Sequence, residues 1–590
     1  MDHVVDTFEP IHGGGGVGGG GNGRLAKGAW KMELKRSIPQ FLAHKDVVVQ
    51  APTGSGKTLA FVIPILEILR RREERWKAWQ VGALIVAPNR ELAVQIADTI
   101  RVFLENGVDE LKLITVVGGT KVDADVERFK KNGGNIMVAT PGRLCDLLNQ
   151  SKDSTFNLGG HLKTLEVLIL DEADRLLESG FYDSMQEILA RLPKQRRTGL
   201  FSATQTDALE ELSKTGLRNP VYITVYAASS MESRQSAVAL DDGHSSKVPT
   251  TLNNYYTVVP AEGKLTALRS FLREHADEKM LVFLSSCACV DYFGDLLKRM
   301  ARKKGTKAKE EEGILTLHGK KKQKRKRIFD KFRQMENGVL LCTDIMARGI
   351  DIADIDWVVQ YDPPRQASWF VHRCGRTARC GRSGSALLIL TPSEEGYLEY
   401  LQRNQGVSLR SMEITYAHDQ EWAMLDKIRK MASKSRELLE KGTRAFVSFI
   451  QAYSKHDCRI VCSLKELDVV NVAHSFGLLR LPKMPELAGR DLSGFRKCEV
   501  NTSQIPYEDK KREKARLSRV QERQRGEEER TKRKTQAEPV HVAGDDGGRV
   551  VSKRQNESKE MEELEDDYRL IKKFKKGKMS KEQFDKEFLE

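Results

Sequence analysis

Ala51-Pro52-Thr53-Gly54-Ser55-Gly56-Lys57-Thr58 is the stretch on which the reading of this chain turns. It keeps the spacing of a phosphate-binding loop, G-x-x-x-x-G-K-[ST], with Ala51 standing at the first glycine. Such a turn lines backbone N–H groups around phosphate oxygens, and the helix that follows adds its dipole. Lys57 is expected at the outer phosphates and Thr58 on Mg²⁺. The context fits, because Asp46-Val-Val-Val49 reads as a strand before the loop and Leu59 to Leu66 as an apolar helix after it. Further along, Val167-Leu-Ile-Leu170 reads as a buried parallel strand that carries Asp171-Glu172-Ala173-Asp174 to its C-terminal tip. Asp171 is expected to meet Mg²⁺, directly or at one remove, and Glu172 to orient and deprotonate an attacking water. A solvated strand end would explain two adjacent carboxylates equally well if no phosphate loop shared the domain. Together the two motifs imply hydrolysis of a nucleoside triphosphate.

The bulk numbers bound the rest. A chain of 590 residues is too long for one core and suggests about three domains. Hydrophobic residues make up 39% and charged residues 31%, so folded domains are accompanied by polar tails. A net charge of +15 favours a polyanionic partner, nucleic acid before an anionic membrane. No apolar run approaches the ~18–20 residues of a membrane span, and no signal-peptide pattern opens the chain, so a soluble intracellular protein is expected. Nine scattered cysteines are too few for a disulfide framework. Cys287 and Cys289 read as part of an apolar strand context. Cys458 and Cys462 lie near His456, where buried reduced thiols are a better reading than zinc ligation.

Along the chain, residues 1–30 include a glycine-rich tract that cannot support regular structure. Residues 31–226 alternate short apolar strands with helical patterns, which reads as a doubly wound parallel sheet. Residues 227–250 read as a linker, and residues 251–415 as a second α/β domain of the same kind. Residues 416–500 show helical spacing around Phe446, Phe449, Ile450 and Tyr453 and read as a third, smaller module. Residues 501–590 are charge-dense and read as a mobile basic tail or a solvated helix. In the second domain, His372-Arg-Cys-Gly-Arg-Thr-Ala-Arg379 places Arg376 and Arg379 three apart, on one face if the segment is helical. A guanidinium aimed at a γ-phosphate accelerates its transfer by ~10³–10⁵, whereas a surface arginine in an ion pair contributes only ~0–1 kcal/mol.

The ordered set of Ala51–Thr58, Pro88-Asn-Arg-Glu-Leu-Ala93, Gly118-Gly119, Thr140-Pro-Gly-Arg143, Asp171–Asp174, Ser202-Ala-Thr204, Thr343-Asp-Ile-Met-Ala-Arg-Gly-Ile-Asp351 and His372–Arg379 resembles the DEAD-box ATP-dependent RNA helicases. The resemblance covers roughly residues 36–402 and implies two tandem RecA-like domains, with ATP and Mg²⁺ bound between Lys57 on one side and Arg376 on the other. By that resemblance Ser202 and Thr204 couple hydrolysis to strand separation, and Gly349 and Asp351 touch the nucleotide. Pro88, Arg90, Glu91, Gly119, Thr140, Pro141, Gly142, Arg143 and Thr343 would grip an RNA sugar-phosphate backbone. Glycines 118 and 119 allow close approach of a phosphate, and Arg90 and Arg143 supply charge. Contacts of that kind imply discrimination of RNA from DNA with weak sequence preference.

Two positions depart from the family pattern. Leu34 stands where a glutamine reads the adenine edge, and Asn89 where threonine is usual. Lys441 to His456 and Phe476 to Pro485 resemble the C-terminal extension of the nucleolar branch that acts in large ribosomal subunit assembly. That branch implies pre-ribosomal RNA and particles as partners, a nuclear and nucleolar location, and a monomer. Basic clusters at 510–534 and 569–578 suit salt-sensitive RNA binding and address signals, unless they form a solvated charged helix. The rival expectations are a non-catalytic RNA clamp or assembly scaffold, and a DNA helicase on the same core.

Overall fold

The computed structural model describes residues 36–51, 55–106, 110–119, 121–149, 156–177, 180–204, 207–225, 251–301, 313–319, 325–344, 354–378, 382–416 and 419–536. The expectations for residues 1–30, for the linker and for the tail past 536 lie outside these. The chain divides into two compact units, one comprising 1–87, 99–116 and 126–230, the other 88–98, 117–125 and 231–590.

The sheet of the first unit is built from β1 (Val47–Gln50), β2 (Ala83–Val86), β3 (Leu113–Val116), β4 (Ile136–Ala139), β5 (Val167–Asp171), β6 (Arg197–Ser202) and β7 (Val221–Thr224). Their order is β3-β4-β2-β5-β6-β1-β7, and every pairing is parallel. β2, β4 and β5 are buried along their whole length, which is why they read as continuous apolar runs without alternation. Helices α1 (Lys57–Arg70), α2 (Arg90–Glu105) and α3 (Pro141–Asn149) each follow a strand.

Strand order determines which loops share the sheet's carboxyl edge, where open α/β sheets hold ligands. β5, β6 and β1 are neighbours, so the loops after them place Ala51, Glu172 and Ser202–Thr204 side by side. β2, β4 and β3 make the other half of that edge. The turns that follow them carry Pro88–Glu91, Thr140–Arg143 and Gly118-Gly119 respectively.

The second unit has an equivalent sheet of β8 (Leu252–Val258), β9 (Lys279–Phe283), β10 (Ile314–Leu317), β11 (Gly338–Cys342), β12 (Trp357–Gln360), β13 (Gly384–Leu390) and β14 (Arg410–Ser411). Its order is β10-β11-β9-β12-β13-β8-β14, again parallel throughout. Helix α4 (Cys287–Ala301) follows β9, so Cys287 and Cys289 lie on a helix and not in a strand. The cause is Ser286, whose Oγ accepts from the Cys289 N–H at 3.2 Å and caps the first turn. Helix α5 (Ala367–Cys374) follows β12.

The region read as a third module is helical: α6 (Asp419–Ala432), α7 (Arg436–Tyr453) and α8 (Val469–Ser475). It is not a separate body, however, because its apolar residues belong to the same core as the second sheet. α7 lies on α4 at close range. A Cβ at Gly442 would meet the Tyr292 ring at 3.2 Å. Tyr292 donates its hydroxyl to the Phe476 carbonyl at 2.5 Å, and Phe476 packs on Phe293, Phe446 and Phe449 with ring centroids 5.2–5.8 Å apart. Lys441 bridges to Asp295 at 3.0 Å on the rim of this contact. Cys458 and Cys462 are buried free thiols. Beyond them, residues Lys510–Gln536 form helix α9.

Candidate active site and nucleic-acid interface

The nucleotide end of the first unit is assembled by backbone as much as by side chains. The Ala51 N–H donates to the Ser202 carbonyl at 3.0 Å, so the phosphate loop is fastened to the end of β6. Gly56 has φ +98°, a conformation only glycine adopts without strain, and it opens directly into α1. Lys57 is buried and donates its Nζ to the Ala51 carbonyl at 2.6 Å. Ser55 is buried and Thr58 half-buried at the helix start. Pro52, Thr53 and Gly54 lie outside the described residues.

Asp171 ends β5, and Glu172 follows it with φ +51°, an uncommon conformation for a residue with a Cβ. The Glu172 N–H donates to Asp171 Oδ1 at 2.9 Å, which fixes this turn. Both carboxylates are buried. Burial first, then the neighbouring Glu172 charge, push Asp171 up to about 7, with Lys57 opposing. Two adjacent buried acids, beside a lysine and a half-buried threonine hydroxyl, form a donor set suited to a hard divalent cation.

Asp174, which the sequence reading did not single out, is joined to the same cluster. Thr204 donates its hydroxyl to Asp174 Oδ2 at 2.7 Å, while Ser202 Oγ donates to the Thr204 carbonyl at 2.8 Å and accepts from the Thr204 N–H at 3.2 Å. All three are buried, so the tips of β5 and β6 are tied into one hydrogen-bonded unit. The signal was the second aspartate of the motif, three residues after Asp171.

At the other half of the edge, Asn89 Oδ1 accepts from the Leu92 N–H at 2.8 Å and caps α2. Threonine and asparagine both serve as N-caps, which accounts for the departure from the family pattern at this position. Arg90, the first residue of α2, lays its guanidinium over Gly118 and Gly119. A Cβ on Gly119, whose φ is +119°, would come within 2.4 Å of Arg90 Nη1. Pro141 occupies the first position of α3, where its missing N–H costs nothing. Thr140 and Arg143 are buried, the Arg143 side chain being only 5% exposed and 4.0 Å from Asp146. Glu91 is half-buried and Gly142 exposed.

In the second unit the arginine motif departs from the helical arrangement expected of it. α5 ends at Cys374, Gly375 caps it, and Arg376 lies in the turn beyond, its N–H bonded to the Arg373 carbonyl at 3.1 Å. A glycine at the cap position releases the chain from the helix, so Arg376 lies outside it. Arg376 is buried and its Nε donates to the His372 carbonyl at 3.3 Å. Arg373 is held in the core by Asp344 at 2.6 Å and by Gln360 at 3.3 Å. Thr343 is half-buried just past β11. Arg379, Gly349, Asp351 and Leu34 lie outside the described residues.

Comparison with known proteins agrees with this geometry. Residues 34–212 match the DEAD/DEAH box helicase family, residues 263–381 the helicase conserved C-terminal domain, and residues 435–484 the C-terminal extension of "ATP-dependent rRNA helicase SPB4-like" proteins. The human ATP-dependent RNA helicase DDX55 is 47% identical over 564 residues, covering 94% of this chain and 90% of the human one. The chain belongs to the DEAD-box ATP-dependent RNA helicases. A rice relative, DEAD-box ATP-dependent RNA helicase 18, is 40% identical over 93% of this chain and 83% of its own. Among solved structures, the DEAD-box helicase Mss116 bound to single-stranded RNA and UDP-BeF superposes with a TM-score of 0.65 at 23% identity, covering 80% of this chain and 95% of that one. Yeast Dbp5 bound to RNA and ADP-BeF3 gives 0.52 at 24% identity, covering 68% and 95%. These two establish the fold, tandem RecA-like domains. As a DEAD-box helicase the chain is an enzyme that binds ATP and RNA.

Proposed function

We propose that this helicase remodels short duplexes of ribosomal RNA during large-subunit assembly in the nucleolus, acting as a monomer on pre-ribosomal particles. The observation that carries the reading is the extension. Its match to the rRNA-helicase model spans residues 435–484, and those residues are packed into the core of the second unit rather than appended to it. An extension built this way travels rigidly with the second domain.

The residue roles follow from the site. Lys57 neutralises the outer phosphates of ATP, and the loop from Ala51 to Thr58 cradles them through backbone N–H groups. Thr58 and Asp171 would hold Mg²⁺, which supplies charge neutralisation at the phosphates when bound. Glu172 takes a proton from the attacking water. Arg376 and Arg379 stabilise charge on the terminal phosphate, and Gly349 and Asp351 touch the nucleotide. The Asp174–Thr204–Ser202 unit carries any shift at the tip of β5 to the tip of β6. Pro88, Arg90, Glu91, Gly119, Thr140–Arg143 and Thr343 hold the RNA backbone. Because ATP favours one conformation and its products another, cleavage resets the cycle and releases RNA.

Crosslinking the full chain to RNA in cells, followed by sequencing, tests the substrate. Reads concentrated on large-subunit ribosomal RNA are expected, and reads spread over messenger RNA would overturn the assignment. Phosphate release with ATP or GTP, with structured ribosomal RNA or DNA of equal sequence, tests base selectivity and RNA coupling in the same preparation.

A further inference from the structure

In the first unit β3, β4 and β2 are parallel neighbours, so the segments that precede them meet at the amino edge of the sheet. That edge lies opposite the one carrying the phosphate loop. Asn135, 1% exposed, joins the three segments. Its Nδ2 donates to the Lys77 and Gln80 carbonyls at 2.8 and 2.9 Å, and its Oδ1 accepts from the Lys112 N–H at 3.0 Å. The turn from Lys77 to Gln80 is closed by two further bonds. The Gln80 N–H donates to the Lys77 carbonyl at 3.0 Å, and the Lys77 N–H donates to Gln80 Oε1 at 2.9 Å. The turn rests on Gly133, where a Cβ would come within 2.1 Å of the Ala78 carbonyl oxygen, and the Gly134 N–H donates to that oxygen at 2.7 Å.

Trp79 stands at the tip of this turn and is 57% exposed. Trp76 makes the contrast. Its Nε1 donates to the Leu69 carbonyl at 2.9 Å, a Cβ on Gly82 would meet its ring at 2.5 Å, and the Arg72 guanidinium lies 4.2 Å from its ring centre. Trp76 serves the fold, whereas Trp79 turns its indole to solvent from a backbone fixed at both ends. The surroundings are basic. Lys77 begins the turn, Lys112 is bonded to the same Asn135, and Lys130 and Lys131 end the helix Val122–Asn132, against whose carboxyl terminus the turn lies. All of these lysines are exposed. Lys130 and Lys131 also suit the helix dipole, but Lys77 and Lys112 lie on other segments and owe nothing to it. Glu127, one turn earlier on the helix, offsets one of the charges. Glu74 and Glu110, the acids nearest in sequence to the turn and to Lys112, pair with Arg72 and Arg75 at 3.6 and 3.8 Å.

We propose that this amino edge is a second RNA contact, where an unpaired nucleobase stacks on Trp79 and the flanking phosphates meet Lys77, Lys112, Lys130 and Lys131. An aromatic face among cations is the arrangement that holds a single strand without reading its sequence. An acidic peptide would satisfy the lysines and leave the flat indole face unused, while a nucleotide satisfies both. The locked turn adds affinity, because the ring is presented without ordering the backbone on binding. None of these residues belongs to the nucleotide site or to the RNA contacts at the carboxyl edge. Binding here is therefore independent of ATP, and the contact tethers a stretch of RNA other than the strand being separated.

The test uses the full chain without ATP and a single-stranded RNA of about 12 nucleotides carrying 4-thiouridine. Ultraviolet crosslinking followed by peptide mass spectrometry should place an adduct on the peptide that contains Trp79. In fluorescence anisotropy, Trp79→Ala should bind the same RNA about tenfold more weakly, and Trp79→Phe, which keeps a stacking face, should recover most of the affinity. Circular dichroism confirms that both variants are folded. Parent affinity in Trp79→Ala, or a crosslink map that lacks this peptide, overturns the proposal. Equal weakness in the alanine and phenylalanine variants overturns the stacking. Trp79-dependent binding of a polyglutamate peptide that RNA does not displace would make the surface a site for an acidic protein and also overturns the proposal.

Discussion

Glu172 is buried and holds a backbone conformation that a side-chain-bearing residue seldom adopts. Strain of this kind persists only where the surroundings impose it, and here the Asp171 carboxylate does so by accepting the Glu172 N–H. Replacing Glu172 by Gln preserves shape and removes the base. ATP turnover should fall by about 10²-fold or more, while ATP-dependent RNA binding survives in an electrophoretic shift assay. Equal turnover by variant and parent would remove Glu172 from its role. Gly119 offers a test of the proposed RNA contacts. Its φ of +119° and the Arg90 guanidinium over it leave no space for a methyl group, so Gly119→Ala must displace Arg90. RNA affinity should drop, with a stability loss of about 1–2 kcal/mol seen in urea melts. Unchanged RNA affinity would mean that the Arg90–Gly119 contact serves only the fold.

At the level of elements, α2 begins the half of the sheet edge proposed to hold RNA and depends on its cap. Asn89→Ala should cost about 1 kcal/mol of stability, and Asn89→Thr only a few tenths, measured by chemical denaturation. A larger loss for threonine would show that the side-chain NH2 of Asn89 is needed as well. The parallel strands were readable from sequence because buried strands such as β2 and β5 are unbroken apolar runs bounded by turns. Short stretches were harder. Cys287 to Val290 is too brief for periodicity to separate helix from strand, and the capping Ser286 was the better signal. The arginine motif was misjudged for the converse reason. Three-residue spacing suggested a helical face, while Gly375 just before Arg376 marked the helix end.

For the whole molecule, the phosphate loop and the acid motif disclosed the site because each lies within a few contiguous residues. How the extension is joined was hidden, since helical spacing around Phe446 shows that a face is apolar without showing what covers it. α4 covers it, and one consequence is a stability that depends on pH through His456. This ring is 3% exposed, accepts from the Cys458 N–H at 3.1 Å and meets the Tyr397 ring edge-on at 5.6 Å, so the extension and the second domain both enclose it. Burial pushes its pKa down to about 4. In the unfolded chain the same ring titrates near ~6.5, so between these values the unfolded state binds the extra proton. The stabilisation is complete above that upper value and is lost as pH falls toward 4, by up to roughly 3 kcal/mol. Urea melts of the full chain at about pH 7 and pH 5 should show the loss, and His456→Gln should reduce the slope. A variant with the parent's slope would place the acid sensitivity elsewhere. Because one core serves sheet and extension, the loss should register in a single transition reporting on both, and a separate early melting of residues 419–500 would contradict their union.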